Sequence, residues 1–152
     1  LCKYDGIDEI DIVEIDERVV EACKKYLPNT ACGFDDPRVS LFFEDGVKYV
    51  RKCERQYDII IVDSTDPFGP GEGVFTKEFY GSCFSALKKN GIMVNQHESP
   101  FYAADRAAMK DAHKKIFKTF LKNARFEKKS LFTKILTYLQ RPTTATNIFY
   151  LL

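Results

Sequence analysis

Apolar and polar positions along the chain follow two periods, one typical of strands and the other of helices. Short runs rich in β-branched residues predict strands over residues 10–15, 39–43, 57–63, 92–96 and 147–152. Apolar residues at helical spacing predict helices after Asp16, over 47–53, after Thr76 and over 103–121. Strands and helices therefore alternate, which predicts an α/β fold with an open, mostly parallel, Rossmann-like sheet.

Several local features refine this expectation. The run 57–63 is apolar on both faces, which favours the middle of a covered parallel sheet. Pro28 is expected to stop the first helix, residues 29–38 to form a loop, and Asn90-Gly91 to end the helix that Thr76 caps. The expected buried stripes are Val19, Val20, Cys23 and Leu27; then Phe79, Cys83, Phe84 and Leu87; then Ala108, Ala112, Ile116 and Phe120.

An acidic residue stands at or just past the end of each of the first four predicted strands. In open α/β sheets, ligands bind beyond the carboxyl ends of the strands, so these residues are candidates for a site. The candidates are Glu14 and Asp16, Asp45 with Gly46, Asp63 and Asp66, and Gln96 beside an acid on the fourth strand. The structural alternative is that short acidic residues serve there as helix caps and turn formers.

Each candidate suits a particular kind of donor. The Glu14 carboxylate can accept from both hydroxyls of a ribose, and Asp45 beside Gly46 can accept from an exocyclic amine that approaches the backbone closely. Asp63 and Asp66 are three residues apart after the most buried strand, and they suit a cationic ligand, a metal or a general base. A polyamine-like or sulfonium-like cation fits better than magnesium, because the sequence has no Gly-Lys-Ser/Thr phosphate loop.

Composition and charge narrow the class of protein. The 152 residues are 45% hydrophobic, which excludes a collagen, a disordered tail and a disulfide miniprotein, and no apolar run is long enough for a membrane helix. The net charge of +1 hides an asymmetry, since residues 1–66 carry 16 acidic and 9 basic side chains while residues 110–152 carry 2 and 10. An acidic front half suits cationic substrates.

The cysteines and histidines do not form a metal-binding pattern. The five cysteines include no CxxC pair, and neither His97 nor His113 stands near a cysteine at zinc-ligand spacing. We therefore expect reduced structural thiols, a cytoplasmic protein, and no metal.

Four segments together resemble the spermidine synthase (polyamine aminopropyltransferase) family. They read VEIDERVVEACKKYLP, DPRVSLFFEDGVKYV, YDIIIVDSTDPFGPGEGVFTKEFY and GIMVNQHESP, and the resemblance covers residues 1 to about 120. It implies a class I methyltransferase-like fold, decarboxylated S-adenosylmethionine as co-substrate without a further cofactor, and aminopropyl transfer to putrescine.

The resemblance also implies a role for each site residue. Asp63 is expected to be the catalytic base. The diamine would be bound by Asp63, Ser64, Thr65, Asp66 and Gln96, and the nucleoside by Glu14, Asp16, Asp45, Gly46 and Pro70.

The chain departs from the family at both ends. The family's central strand and its Gly-Gly-Gly-Asp-Gly-Gly loop are not in the sequence, so we expect a partial catalytic domain with a gap in its sheet and a divergent tail over about 122–152. In place of the family's Thr-Tyr-Pro-Ser-Gly-like segment the tail reads Thr137-Tyr138-Leu139, so no tyrosine is assigned to the diamine site from it.

Three other functions stay open at this point: an S-adenosylmethionine-dependent methyltransferase, a non-catalytic remnant of the fold, and nucleic-acid binding by the Lys-rich stretch 110–134. For that stretch a solvated helix face is the simpler interpretation, because no aromatic residues are interleaved as a stacking platform. We expect small-molecule substrates, no nucleic-acid or membrane partner, and a homo-oligomer for the intact protein.

Overall fold

The structure, a computed structural model, describes residues 1–63, 69–96, 103–121 and 147–151. Its strands are β1 (Glu9–Val13), β2 (Val39–Phe42), β3 (Tyr57–Val62), β4 (Leu87–Asn95) and β5 (Asn147–Leu151). Its α-helices are α1 (Glu17–Tyr26), α2 (Pro28–Ala31), α3 (Gly46–Arg51), α4 (Lys77–Ala86) and α5 (Ala103–Leu121), with 3-10 helices over Cys32–Asp35 and Gly69–Phe75. The α/β class predicted from the sequence is confirmed.

The strands form one parallel sheet in the order β2-β1-β5-β3-β4. The last strand of the chain thus lies in the middle of the sheet. It pairs with β1 on one side, where Ile12 is opposite Tyr150, and with β3 on the other, where Ile61 is opposite Tyr150. The expected gap in the sheet is therefore filled, because β5 supplies hydrogen-bonding partners to both neighbours.

The two faces of the sheet are buried differently. On the first face, Val50 of α3, Phe79 of α4 and Phe149 of β5 belong to one cluster of buried residues. On the second face, Ile7 packs on the amino-terminal half of the strands, together with Ile10 and Ile148. Farther along this second face the side chains are only half-buried: Ile12, Tyr150, Ile61 and Val94. The carboxyl end of the second face is thus the more open part of the sheet.

Local chemistry explains where the helices begin. Asp16 accepts from the Arg18 N–H at 3.0 Å and caps α1, and Thr76 Oγ1 accepts from the Phe79 N–H at 3.1 Å and caps α4, as predicted. Asp45 caps α3 by accepting from the Val47 N–H at 2.9 Å. Each cap satisfies amide groups that have no partner within the first turn.

Two predicted boundaries are wrong. Residues 29–38 were expected to form a loop, but α2 begins at Pro28, since proline is tolerated in the first turn of a helix, and a 3-10 helix follows it. Helix α4 ends at Ala86 rather than at Asn90-Gly91, and β4 begins at Leu87. The Asn-Gly pair instead produces an irregularity inside β4, where Asn90 has a φ of 72° and the register with β3 shifts.

The expected helical stripes are only partly buried. In α1, Val20 is buried whereas Val19 and the following Leu27 are exposed. In α4, Phe79 and Cys83 are buried as expected, and in α5 Ala112 is buried. The side chains of Ala108 and Phe120 lie outside the described part of the chain, as do all of residues 122–146.

Candidate active site at the carboxyl edge of the sheet

The carboxyl ends of the strands bring the predicted residues to one edge, which we call the carboxyl edge. It consists of Glu14, Asp45, Leu151, Asp63 and Gln96, each at or just past the end of a different strand. The Asp63 N–H donates to the Leu151 carbonyl at 2.9 Å, and the Gln96 N–H donates to the Val62 carbonyl at 2.8 Å. These bonds extend the strand pairing by one residue, so the register of the sheet also holds at the site.

The strand register decides which of these side chains share a face. Val13, Leu151, Val62 and Asn95 form one row of paired residues across four strands. The next position on each strand points to the opposite face, because side chains alternate along a strand. Glu14, Asp63 and Gln96 therefore lie on the second, more open face of the sheet.

The side of the edge that is expected to bind the amine, called the amine side below, consists of Asp63 and Gln96 on neighbouring strands. Asp63 is half-buried, and its Oδ2 accepts a hydrogen bond from the Tyr150 hydroxyl at 2.7 Å. Gln96 is exposed. The predicted partners Ser64, Thr65 and Asp66 lie outside the described residues, so the proximity expected for the two aspartates stays a prediction.

The side that is expected to bind the nucleoside, called the nucleoside side below, is at the ends of β1 and β2. Glu14 is 7% exposed, and its Oε1 accepts from the Asp16 N–H at 2.9 Å. Both carboxylate oxygens of Asp16 accept from the Arg18 guanidinium, and these hydrogen bonds lower the pKa of Asp16. Asp45 is engaged as the cap of α3, as the structural alternative predicts.

Gly46 lies very close to the side chain of Leu151 in β5. A Cβ placed on Gly46 would collide with Leu151 Cδ1. The sequence predicted that a ligand approaches the backbone of Gly46 closely, but in the structure the Leu151 side chain occupies this position. Pro70 lies in the second 3-10 helix, and its side chain is outside the described part of the chain.

The two sides of the edge are separated by the width of one strand. Glu14 follows β1 and Asp63 follows β3, and β5 lies between these strands. Since neighbouring strands are about 4.8 Å apart, the two backbones are roughly 10 Å apart. A molecule that reaches from Glu14 to Asp63 must pass over the end of β5.

Comparisons with known proteins identify the family. The spermine/spermidine synthase domain family matches residues 1–143. The chain belongs to this family. It is 62% identical over 120 residues to a polyamine aminopropyltransferase of Clostridium beijerinckii and 64% identical to one of Clostridium perfringens (strain SM101), and both matches cover 79% of this chain and 42% of the relative.

Solved structures of the family agree with the fold. A spermidine synthase in complex with the transition state analogue AdoDATO has a TM-score of 0.74 and 44% identity, covering 79% of this chain and 41% of that one. A spermidine synthase from Thermotoga maritima has a TM-score of 0.71 and 42% identity, covering 79% and 40%. The chain thus spans less than half the length of these family members, and β5 lies beyond the residues that the family match covers.

Two further observations concern metals and membranes. Among the described residues, no group of three or more His, Cys, Asp and Glu side chains is placed to hold a metal ion. Within the same part of the chain, no helix is both long and apolar enough to span a membrane.

Sequence reasoning missed Tyr150, which is hydrogen-bonded to the candidate residue Asp63. The sequence predicts a strand over 147–152, and β5 confirms it over Asn147–Leu151. The alternation of that strand places Tyr150 on the same face as Ile148, but nothing in the sequence shows that the strand lies beside β3. Its contact with Asp63 could be found only from the order of the strands.

Proposed function

We propose that the carboxyl edge catalyses aminopropyl transfer from decarboxylated S-adenosylmethionine to putrescine, giving spermidine and methylthioadenosine. The observation that carries the proposal is the placement of Asp63 and Gln96 on neighbouring strands, on the face that also carries Glu14. Family membership and the names of the relatives support the reaction class.

The two sides of the edge divide the substrates between them. The buried Glu14 carboxylate would accept from the ribose hydroxyls, with Asp16, Asp45, Gly46 and Pro70 around the rest of the nucleoside. A buried carboxylate requires hydrogen-bond donors, and a ribose diol supplies two. Asp63 and Gln96 would bind the diamine together with Ser64, Thr65 and Asp66.

The chemistry follows from this division. The lone pair of the diamine nitrogen attacks the aminopropyl carbon bonded to sulfur, a C–N bond forms, and the C–S bond breaks with its electron pair going to sulfur. The neutral thioether then leaves as methylthioadenosine, and Asp63 accepts the proton that the nitrogen releases. Because a sulfonium is already a good leaving group, the protein mainly aligns the reactants over the end of β5 and removes the proton.

The proposal includes a reducing cellular compartment for the protein. The five cysteines are all free, and Cys53 and Cys83 are buried, which supports a reducing compartment such as the cytoplasm. Burial raises the pKa of the Cys53 thiol, so it is a poor nucleophile at neutral pH. We propose a homo-oligomer for the intact protein and no metal or further cofactor.

A second candidate, a non-catalytic domain, is favoured by one observation. Leu151 fills the space beside Gly46, where the sequence predicts the nucleoside to approach. While the Leu151 side chain occupies this space, the nucleoside cannot come close to Gly46. Binding of methylthioadenosine by calorimetry therefore separates the candidates, because the enzyme should bind it and the non-catalytic domain should not.

The experiment for the reaction itself combines two donors with one substitution. The chain is incubated with putrescine and either decarboxylated or ordinary S-adenosylmethionine, and the products are identified by mass spectrometry. We expect spermidine from the first donor, and a loss of about 100- to 10,000-fold in kcat in Asp63→Asn, the usual contribution of a general base.

The matched control is Asp35→Asn, which removes a carboxylate that is 71% exposed and pairs with Lys24. It should leave turnover within about twofold of the unchanged chain, since it lies away from the carboxyl edge. Methyl transfer without aminopropyl transfer would contradict the proposal, as would an Asp63→Asn variant with full activity.

A further inference from the structure

The hydroxyl of Tyr150 donates a hydrogen bond to Asp63, and the proposed reaction gives this hydroxyl no role. Tyr150 is opposite Ile61 in the pairing of β5 with β3, and Asp63, two residues after Ile61, lies on the same face. This register lets the phenol reach along the sheet and donate to Asp63 Oδ2 at 2.7 Å. Both side chains are half-buried, so water competes only in part for this bond.

The phenol is a donor over the whole physiological pH range. Burial raises the pKa of Tyr150 to about 12, and the hydrogen bond to Asp63 and the charge of Asp63 act in the same direction. A carboxylate can only accept, so the direction of this hydrogen bond is fixed while Asp63 is ionised. A charge-assisted bond of this length is among the stronger hydrogen bonds in proteins.

Position on β5 makes the contact rigid. Phe149 and Leu151, the neighbours of Tyr150, are buried on the opposite face of the sheet, and β5 is paired on both sides. The backbone of Tyr150 is therefore fixed by the centre of the fold. By contrast, Asp63 comes just after Val62, the last residue of β3, so the strand alone does not fix its carboxylate.

We propose that Tyr150 is a positioning residue for Asp63: its hydroxyl binds one carboxylate oxygen and turns the other toward the amine of the substrate. The inference rests on the proposed function, in which Asp63 accepts the amine proton. Tyr150 acts through Asp63 and does not itself contact the substrate. Its loss should therefore slow the chemical step without weakening the binding of the diamine.

The kinetic test compares Tyr150→Phe with the unchanged chain. Phenylalanine keeps the ring and removes only the hydroxyl, so we expect kcat to fall about tenfold while KM for putrescine stays within about threefold. Tyr26→Phe is the matched control, because Tyr26 is 70% exposed and should leave both constants unchanged. An unchanged or increased kcat in Tyr150→Phe, or an equal rise in KM, would overturn the proposal.

A spectroscopic test examines the contact without using activity. The ionisation of Tyr150 is followed by NMR of tyrosines labelled at Cζ, and its signal is identified by its absence in Tyr150→Phe. In Asp63→Asn the pKa of Tyr150 should fall, because the charge of Asp63 no longer raises it, while burial still holds it above its ordinary value. A midpoint that does not move shows that the contact is absent and overturns the proposal even if the enzyme is active.

The two tests separate failure of the inference from failure of the function. Turnover by the unchanged chain together with an unaffected Tyr150→Phe variant leaves aminopropyl transfer intact and rejects the positioning role. No turnover by the unchanged chain, together with a midpoint that does move in Asp63→Asn, rejects the function and with it any catalytic meaning of the contact.

Discussion

The first 121 residues and strand β5 make different contributions to the carboxyl edge of the sheet, the first mainly side chains and the second mainly backbone. The first part supplies the polar side chains of the candidate site, among them Glu14, Asp63 and Gln96. Strand β5 supplies the central backbone that joins β1 to β3, yet it lies beyond the family match to residues 1–143.

This difference shows that the chemistry and the framework of a site can come from separate parts of a chain. Among the described strands, β2-β1 and β3-β4 are connected within the sheet only through β5. The two proposed substrate sides are therefore held at a fixed distance by a strand whose polar side chain at the edge is Tyr150. Substitutions of buried residues in and around β5 should affect stability first, and those of the polar side chains at the carboxyl edge activity.

The largest effect is expected from Phe149→Ala. Phe149 is fully buried, stacks on Tyr49 with ring centroids 5.5 Å apart, and packs against Tyr57 at 5.4 Å. Its truncation should lower the free energy of unfolding by about 3–5 kcal/mol, measured by urea denaturation. In the control Tyr26→Ala, which truncates an aromatic side chain that is 70% exposed, we expect a loss of less than about 1 kcal/mol. Equal effects of the two substitutions would show that β5 is not in the core.

The next effect concerns the amino-terminal end of β5. Asp58 of β3 is 6% exposed, and its Oδ2 accepts from the Lys88 Nζ at 2.7 Å and from the Asn147 N–H at 3.0 Å. Asp58→Ala should cost about 2 kcal/mol, because it leaves the Lys88 ammonium and the half-buried Asn147 amide without this acceptor.

The control for Asp58 is Glu44→Ala, which breaks the solvent-exposed pair with Lys52 and should cost less than about 1 kcal/mol. Both variants are compared by urea denaturation at the same pH. If Asp58→Ala is as mild as Glu44→Ala, the bond from Asn147 does not fix the start of β5.

The smallest effect is the coupling between substitutions at Gly46 in α3 and Leu151 in β5, measured as a difference in the free energy of unfolding. Gly46→Ala should cost about 1–3 kcal/mol because the new Cβ meets Leu151, although alanine is the better helix former. In the background of Leu151→Ala the same substitution should cost about 1 kcal/mol less, as measured by a double-mutant cycle. Gly81→Ala in α4, where a Cβ meets nothing within 4 Å, should instead be neutral or stabilising.

Much of the fold could be predicted from local pattern. The β-branched runs located β1, β2, β3 and β5 to within two residues at each end, and the stripe of α5 gave its bounds. The Asn90-Gly91 pair led to a wrong end for α4, because this dipeptide is found both at helix ends and at irregularities within strands. Pairing of the segment with β3 selects the strand.

The position of β5 could not be predicted in this way. Strand order depends on contacts between residues far apart in sequence, such as Tyr57 and Phe149, and no local propensity encodes it. For the site, the strand ends located Glu14, Asp63 and Gln96 at one edge, whereas the partner of Asp63 on β5 required the three-dimensional arrangement.

Amide hydrogen exchange across β5 tests most directly whether this strand holds the two sides of the edge together. The amides of Ile148, Phe149 and Tyr150 should be protected to within about tenfold of those of Ile59 and Ile60 in β3, since both strands are central in the same sheet. Exchange of the β5 amides at the rate of a free chain terminus, with β3 still protected, would contradict the account.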